Sequence, residues 1–238
     1  MVQAVIFDLD GTLIDSVDLH IQAWKRTFER FGKEVSNEQI RRQIGKGADD
    51  MLPLFFSSEE LDQFRPDLEK YQGELFKREY LPKVNAFPRV RELLQRLKQD
   101  EKKIALGSTE KREEINIYKE IARITNLVDC AVGSEEVEHS KPHPDICAVA
   151  LHKLGNIPPD QGIDIGDTAY DAEAAGKISL RSIGLLCGGG NREELQRAGC
   201  VAIYENPADL LEHYDASPLG SALMSEPTSS IANLILKS

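Results

Sequence analysis

Residues 5–16 read VIFDLDGTLIDS, and they concentrate chemistry in a short space. The apolar run Val5-Ile6-Phe7 ends in two acids, Asp8 and Asp10, and Gly11-Thr12 then breaks the pattern. In an α/β protein this reads as a buried strand whose carboxyl end delivers acids into the crevice where open parallel sheets bind ligands. Residues i and i+2 of an extended segment point to the same side, so both carboxylates can face one small volume. Two like charges held that close need a cation or a shared proton. Hard oxygen ligands favour Mg²⁺ as the cation.

Three further segments carry polar groups at the ends of short runs. Residues 103–111, KIALGSTEK, form a strand pattern ending in Ser108, with Lys111 three residues on. Residues 139–145, HSKPHPD, place Lys141 before a proline. Residues 161–175, QGIDIGDTAYDAEAA, form a strand pattern ending in Asp167, with Asp171 four residues later. Ser108 suits the N-cap of the helix that follows it, and a helix N-terminus also offers free backbone N–H groups to an anion. The two uses are compatible.

In this order the four segments resemble the haloacid dehalogenase-like (HAD) hydrolases, whose first motif is DxDx[TV]. The resemblance covers roughly residues 2–214 and implies a Rossmann-like parallel-sheet core with an all-helical cap inserted after the first strand. It implies roles as well. Asp8 attacks phosphorus and forms an aspartyl-phosphate, while Asp10 protonates the leaving oxygen and then activates water. Ser108 and Lys141 hold the phosphoryl oxygens. Mg²⁺ is bound by Asp8, Asp167 and the backbone carbonyl of Asp10, with Asp171 assisting. An aspartate at position 10 favours phosphoryl chemistry, because the dehalogenases, whose halide leaves without a proton, lack it. Such a combination of nucleophile, metal and phosphate partners suits phosphate-monoester hydrolysis, which enzymes accelerate by up to about 10²¹-fold.

Two cap positions bear on the substrate. Residues 45–49, GKGAD, set Lys46 between glycines and look like the family's substrate-specificity loop. His20 matches an active-site histidine of the β-phosphoglucomutase-like members. The implied function is a Mg²⁺-dependent phosphatase acting on a small phosphorylated metabolite, phosphoglycolate first. One alternative is a sugar phosphomutase, which His20 supports and the absence of arginine between Gly45 and Asp50 opposes. Another is a phosphonoacetaldehyde hydrolase with Lys46 as the Schiff base. A non-enzymatic binding protein is disfavoured, because no catalytic position is lost.

The elements that must position these groups alternate along the chain. Residues 15–31 carry a helical stripe that Gly32 stops. From there to about Tyr80 the pattern stays helical, with a second clear helix over 67–78. Pro88 suits the first turn of a helix through Leu97. Strands are predicted near 104–106, 129–132, 162–165, 180–185 and 201–204, with helices over 113–121, 145–154 and 207–214. This alternation argues a parallel sheet with right-handed crossovers. The expected division is a core of residues 1–15 and 81–215, a cap of 16–80, and a tail of 216–238 in which the apolar residues 231–236 could dock.

The chain has 238 residues, enough to bury a sizeable core. Its 29 basic and 40 acidic residues leave a net charge of −11 without a basic stripe, which opposes nucleic-acid binding. No apolar run is long enough for a bilayer and no signal peptide is evident, so a cytoplasmic protein without membrane partners, monomer or homodimer, is expected. Cys130, Cys147, Cys187 and Cys200 lack metal or disulfide spacing and are read as buried free thiols. The histidines also lack metal-ligand spacing, and His139 and His143 are read as loop residues.

Overall fold

Strand β1 (Ala4–Phe7) is buried along its whole length, as an inner strand covered on both faces must be. Its alternate residues serve two cores. Val5 and Phe7 pack with Leu93, Leu94, Ile115 and Tyr118 on one side, and Ala4 and Ile6 pack with Ile146, Ala150 and Ala174 on the other. In the computed structural model, which describes residues 1–220, β1 pairs in parallel with β4 (Lys103–Gly107) and β6 (Gly162–Gly166). Strands β5 (Cys130–Val132), β7 (Arg181–Leu185) and β8 (Ala202–Tyr204) complete a six-stranded parallel sheet in the order β5-β4-β1-β6-β7-β8. The order reverses at β1, so the crevice beyond the carboxyl ends of β1, β4 and β6 is the expected ligand site of a doubly wound sheet.

Helices α5 (Val90–Gln99), α6 (Arg112–Ile121), α7 (Asp145–Lys153), α8 (Ala169–Gly176), α9 (Arg192–Arg197) and α10 (Pro207–Glu212) flank the sheet. Between β1 and the core helices the chain leaves to build a cap from α1 (Val17–Arg30), α2 (Asn37–Arg41), α3 (Ala48–Met51) and α4 (Ser58–Leu75). The cap has its own apolar centre, where Ile21, Trp24, Phe28, Ile40, Leu52 and Leu68 meet. The outgoing and returning chains pair as a short antiparallel ribbon, β2 (Ile14–Asp15) with β3 (Asn85–Ala86). This ribbon joins the cap to the acids of β1.

Several local expectations need correction. Helix α4 begins at Ser58, not near residue 67, and carries Pro66 in its interior. Proline there removes one helical hydrogen bond. The Ser57–Glu60 capping box and the buried Leu68 and Leu75 support the helix around it. A π-helical turn, Phe76–Tyr80, then continues the helix. The helix predicted from Pro88 starts at Val90, because Arg89 is left-handed at φ 61°. Of the cysteines, all free, only Cys147 is fully buried and the other three are partly exposed. The beginning of the expected tail packs on the core, with Ser217 and Leu219 buried, whereas residues 231–236 lie outside the described residues. Among the described residues no helix is long and apolar enough to cross a membrane.

Candidate active site

The two acids of the first motif end in different surroundings. Asp8 directly follows β1, and its N–H donates to the Ile165 carbonyl at 2.9 Å. Its carboxylate meets the Lys141 ammonium at 2.6 Å. The same ammonium lies 2.7 Å from Asp171 and donates to the Gly107 carbonyl at 2.8 Å. Lys141 is only 2% exposed, a burial that a lysine tolerates when paired on this scale. Burial disfavours its charge, but the Asp171 and Asp8 carboxylates outweigh that and hold its pKa well above the usual lysine value.

Asp167 follows β6 and is enclosed by backbone. Thr12 donates to it at 3.0 Å. Gly11, left-handed at φ +83°, and Gly188 both pass so close that a β-carbon would fall 2.3 Å and 1.8 Å from Asp167 Oδ2. Only glycine allows the turn at 11 and the approach at 188. Asp171 sits in the first turn of α8, where it closes a capping box with Thr168. Asp8, Asp167 and Asp171 each offer a carboxylate oxygen, and the three oxygens lie within 4.8 Å of one another.

Three carboxylates facing one ammonium leave two negative charges in excess. Burial pushes Asp8 up to about 7, with Lys141 opposing and Asp171 adding to the rise. Asp167 is likewise pushed well above the carboxylate range, by burial first and by Asp171 and Asp8 next. An all-oxygen donor set with that excess fits a divalent hard cation such as Mg²⁺. Cation and protons then compete for the same oxygens. Below about pH 7 a protonated Asp8 weakens binding; above it the carboxylate is free to bind. Apparent Mg²⁺ affinity, measured calorimetrically on both sides of pH 7, is therefore expected to rise with pH, and a flat profile would refute this assignment.

Asp10 faces another group. Ser16 donates to its carboxylate at 2.5 Å, and His20 Nε2 lies 3.0 Å away. Ser16 precedes α1 but makes no capping hydrogen bond with its side chain. Its hydroxyl serves Asp10 instead, a local rule broken at a functional position. Burial raises the Asp10 pKa, yet attraction and hydrogen bonding from His20, with help from Ser16 and Tyr118, bring it below the usual value. His20 moves the other way. Burial opposes its charge, but Asp10 outweighs this and raises its pKa. Its ring stacks on Phe76 of the cap at 4.0 Å. The Asp10 carboxylate thus belongs to the His20 side, and its carbonyl is the atom that the family resemblance gives to the metal.

Ser108 is buried at the end of β4, with its N–H bonded to the Val132 carbonyl. It is not a helix cap, because α6 begins at Arg112 after Lys111, and the Ser108 hydroxyl accepts from the Glu110 N–H at 3.1 Å. Lys46 lines a cavity of about 350 Å³ with Asp8, Asp10, His20 and Trp24. Its ammonium donates to Gln43 at 2.8 Å and stands 4.8 Å from the Tyr170 ring centre. The Tyr170 hydroxyl donates to the Arg42 carbonyl at 2.7 Å, which seats this loop on the core beside the fourth motif. His139 and His143 form a ring pair 4.8 Å apart.

Sequence reasoning missed Thr12, Tyr118, Tyr170, Asp164 and Gly188. The run Gly188-Gly189-Gly190 after an apolar strand was a readable signal for a close backbone approach. Nothing marked Tyr118, which a helical stripe assigns to the core. Asp164 lies inside β6, hydrogen-bonded to Ser182 at 3.2 Å, and burial pushes its pKa well up.

A doubly wound sheet with acids at the switch point and a helical cap after its first strand defines the class. Residues 5–185 match the family described as haloacid dehalogenase-like hydrolase, and the chain belongs to that family. It is 29% identical over 211 residues to a phosphorylated carbohydrates phosphatase of Thermotoga maritima, covering 88% of this chain and 96% of the relative. It is 27% identical to the pyrophosphatase PpaX of Oceanobacillus iheyensis, covering 76% and 82%. A crystal structure of a hydrolase from Pseudomonas syringae superposes with a TM-score of 0.81 at 30% identity, covering 90% of this chain and 98% of that one.

Proposed function

We propose that this enzyme is a Mg²⁺-dependent phosphatase that cleaves small phosphorylated metabolites through an aspartyl-phosphate on Asp8. The observation that carries the reading is the unequal setting of the two acids. Asp8 stands among Lys141, Asp167 and Asp171, and Asp10 stands on Ser16 and His20. Asp8 lies in the acid group that would hold the cation and so would be kept ionised for attack, while the proton shared by Asp10 and His20 stands on the other side. Asp8, Asp167 and the Asp10 carbonyl would hold Mg²⁺, with Asp171 alongside, and the ion would offset charge on the phosphoryl oxygens. Ser108 and Lys141 would bind those oxygens.

In the first step an Asp8 oxygen forms a bond to phosphorus while the bond to the leaving oxygen breaks. That oxygen takes the proton held by the Asp10–His20 pair. In the second step the pair takes a proton from water, the water oxygen bonds to phosphorus, and the Asp8–phosphorus bond breaks to release inorganic phosphate. Lys141 keeps its proton throughout, because the surrounding carboxylates hold it.

For the substrate, phosphorylated carbohydrates are favoured over phosphoglycolate. The cavity of about 350 Å³ exceeds the needs of a two-carbon acid, and Trp24 is among its lining residues. The name of the Thermotoga relative agrees with this choice. The mutase reading is disfavoured, since no arginine lies between Gly45 and Asp50. A panel of sugar phosphates, phosphoglycolate and pyrophosphate assayed with Mg²⁺ tests the choice. Sugar phosphates are expected to lead in kcat/KM, and a lead for phosphoglycolate would return the reading to the two-carbon acid.

Lys46→Ala gives a further check. For a phosphoglycolate-type second anion, loss of a charged hydrogen bond is expected to cost about 1.5–3 kcal/mol, roughly ten- to hundredfold in kcat/KM. With sugar phosphates, whose sugar carries no second anion, the loss should be much smaller, and the ammonium would keep only Gln43 and the Tyr170 ring as partners. Equal losses on both substrate types would assign Lys46 to seating the cap loop.

A further inference from the structure

Tyr118 lies on α6 with no exposed surface, packed in the core against β1. Phenylalanine would fill that space equally well. A hydroxyl in an apolar core is costly unless it finds a partner. Its oxygen is 3.1 Å from His20 Nε2, which is itself 3.0 Å from Asp10 Oδ1. Tyr118, His20 and Asp10 thus form a chain of contacts, with the imidazole in the middle. A ring nitrogen carries at most one hydrogen, so Nε2 can donate to one partner only. With that hydrogen on Asp10, the Tyr118 oxygen braces the same edge of the ring, Phe76 stacks on its face, and Ser16 donates to the carboxylate. Ser16, His20 and Tyr118 come from the segment before α1, from α1 itself, and from α6, on the far side of the cap insertion in sequence.

We propose that Tyr118 is a positioning residue, one that holds the Asp10 carboxylate and the His20 ring in the arrangement needed to serve the leaving oxygen. Tyr118 is not among the residues lining the cavity, so it touches no substrate and acts through Asp10 and His20. The proposal rests on the reading of Asp10 as the group that protonates the leaving oxygen. Misplacement of a proton donor matters in proportion to the proton demand of the leaving group. An alkoxide needs a proton to depart, and p-nitrophenolate hardly does.

The test compares Tyr118→Phe with the wild type on glycerol phosphate and p-nitrophenyl phosphate, both with Mg²⁺. The variant keeps the ring, so folding is checked by a melting curve that should match the wild type. kcat/KM for glycerol phosphate is expected to fall roughly tenfold or more, part of the ~10²–10⁴-fold that a positioned proton donor supplies. p-Nitrophenyl phosphate should fall far less. Equal losses on both substrates, or no loss on either, would overturn the proposal. Asp10→Ala run beside it separates the two levels. If Asp10→Ala shows the leaving-group dependence and Tyr118→Phe does not, Tyr118 is merely a core tyrosine and the reading of Asp10 stands. If Asp10→Ala shows none, the reading of Asp10 fails, and the role of Tyr118 with it.

Discussion

Asp8→Asn is expected to abolish turnover while leaving the fold intact. The amide has nearly the shape of the carboxylate but cannot attack phosphorus as an anion. Removal of a covalent nucleophile elsewhere costs about 10⁶-fold in kcat, and a loss of at least ~10⁴-fold is expected here. Stability should change little without metal, because burial already pushes Asp8 up to about 7 and Lys141 keeps Asp171 as its partner. The stabilisation by Mg²⁺ should shrink, since a ligand that binds only the folded state raises stability in step with its affinity. Melting curves with and without Mg²⁺, together with a steady-state assay, read both effects. A well-folded Asp8→Asn protein with substantial turnover would end the covalent mechanism.

Gly188→Ala carries the second large effect, and the reason is wholly geometric. The added methyl would sit 1.8 Å from Asp167 Oδ2 and 2.9 Å from the Gly11 α-carbon. Asp167 has little room to retreat, because Thr12 holds its other oxygen. Overpacking of this kind costs about 1–3 kcal/mol. A shift of about 1 Å at a catalytic position can cost roughly 10²-fold in rate. We therefore expect a lower melting temperature, weaker Mg²⁺ binding and at least a hundredfold loss of kcat/KM. Gly176→Ala is the control, since an added methyl there meets nothing within 4 Å. That variant should match or exceed the wild type in stability. Wild-type Mg²⁺ binding by Gly188→Ala would show that the glycine loop does not constrain the site.

The sequence by itself determined the sheet and the acids at its ends. Runs such as Val5-Ile6-Phe7 and Ile104-Ala105-Leu106 mark strands covered on both faces, and the alternation with amphipathic helices leaves few topologies. The placement of Asp8, Asp10, Ser108 and Asp167 at or just beyond strand ends was legible because each closes such a run. Lys141 needed the family resemblance, since a lysine before a proline has no periodicity to betray it.

Tertiary structure decided what those groups do to one another. Asp8 and Asp10 line one cavity, as expected, but the Asp10 carboxylate is taken up by Ser16 and His20 rather than by the Asp8, Asp167 and Asp171 group. Sequence pattern does not show which side chain a carboxylate meets, and the His20 ring that takes Asp10 is itself met by Tyr118 of α6, about a hundred residues away. The same holds for the loop at Gly188, which meets Asp167 only when β6 and β7 lie side by side. Helix α4 runs through an interior Pro66, because packing of Leu68 and Leu75 overrides a local helix breaker. Sequence period reports which face of an element is apolar; electrostatics and close contact depend on distances between elements, and those exist only once the chain has folded.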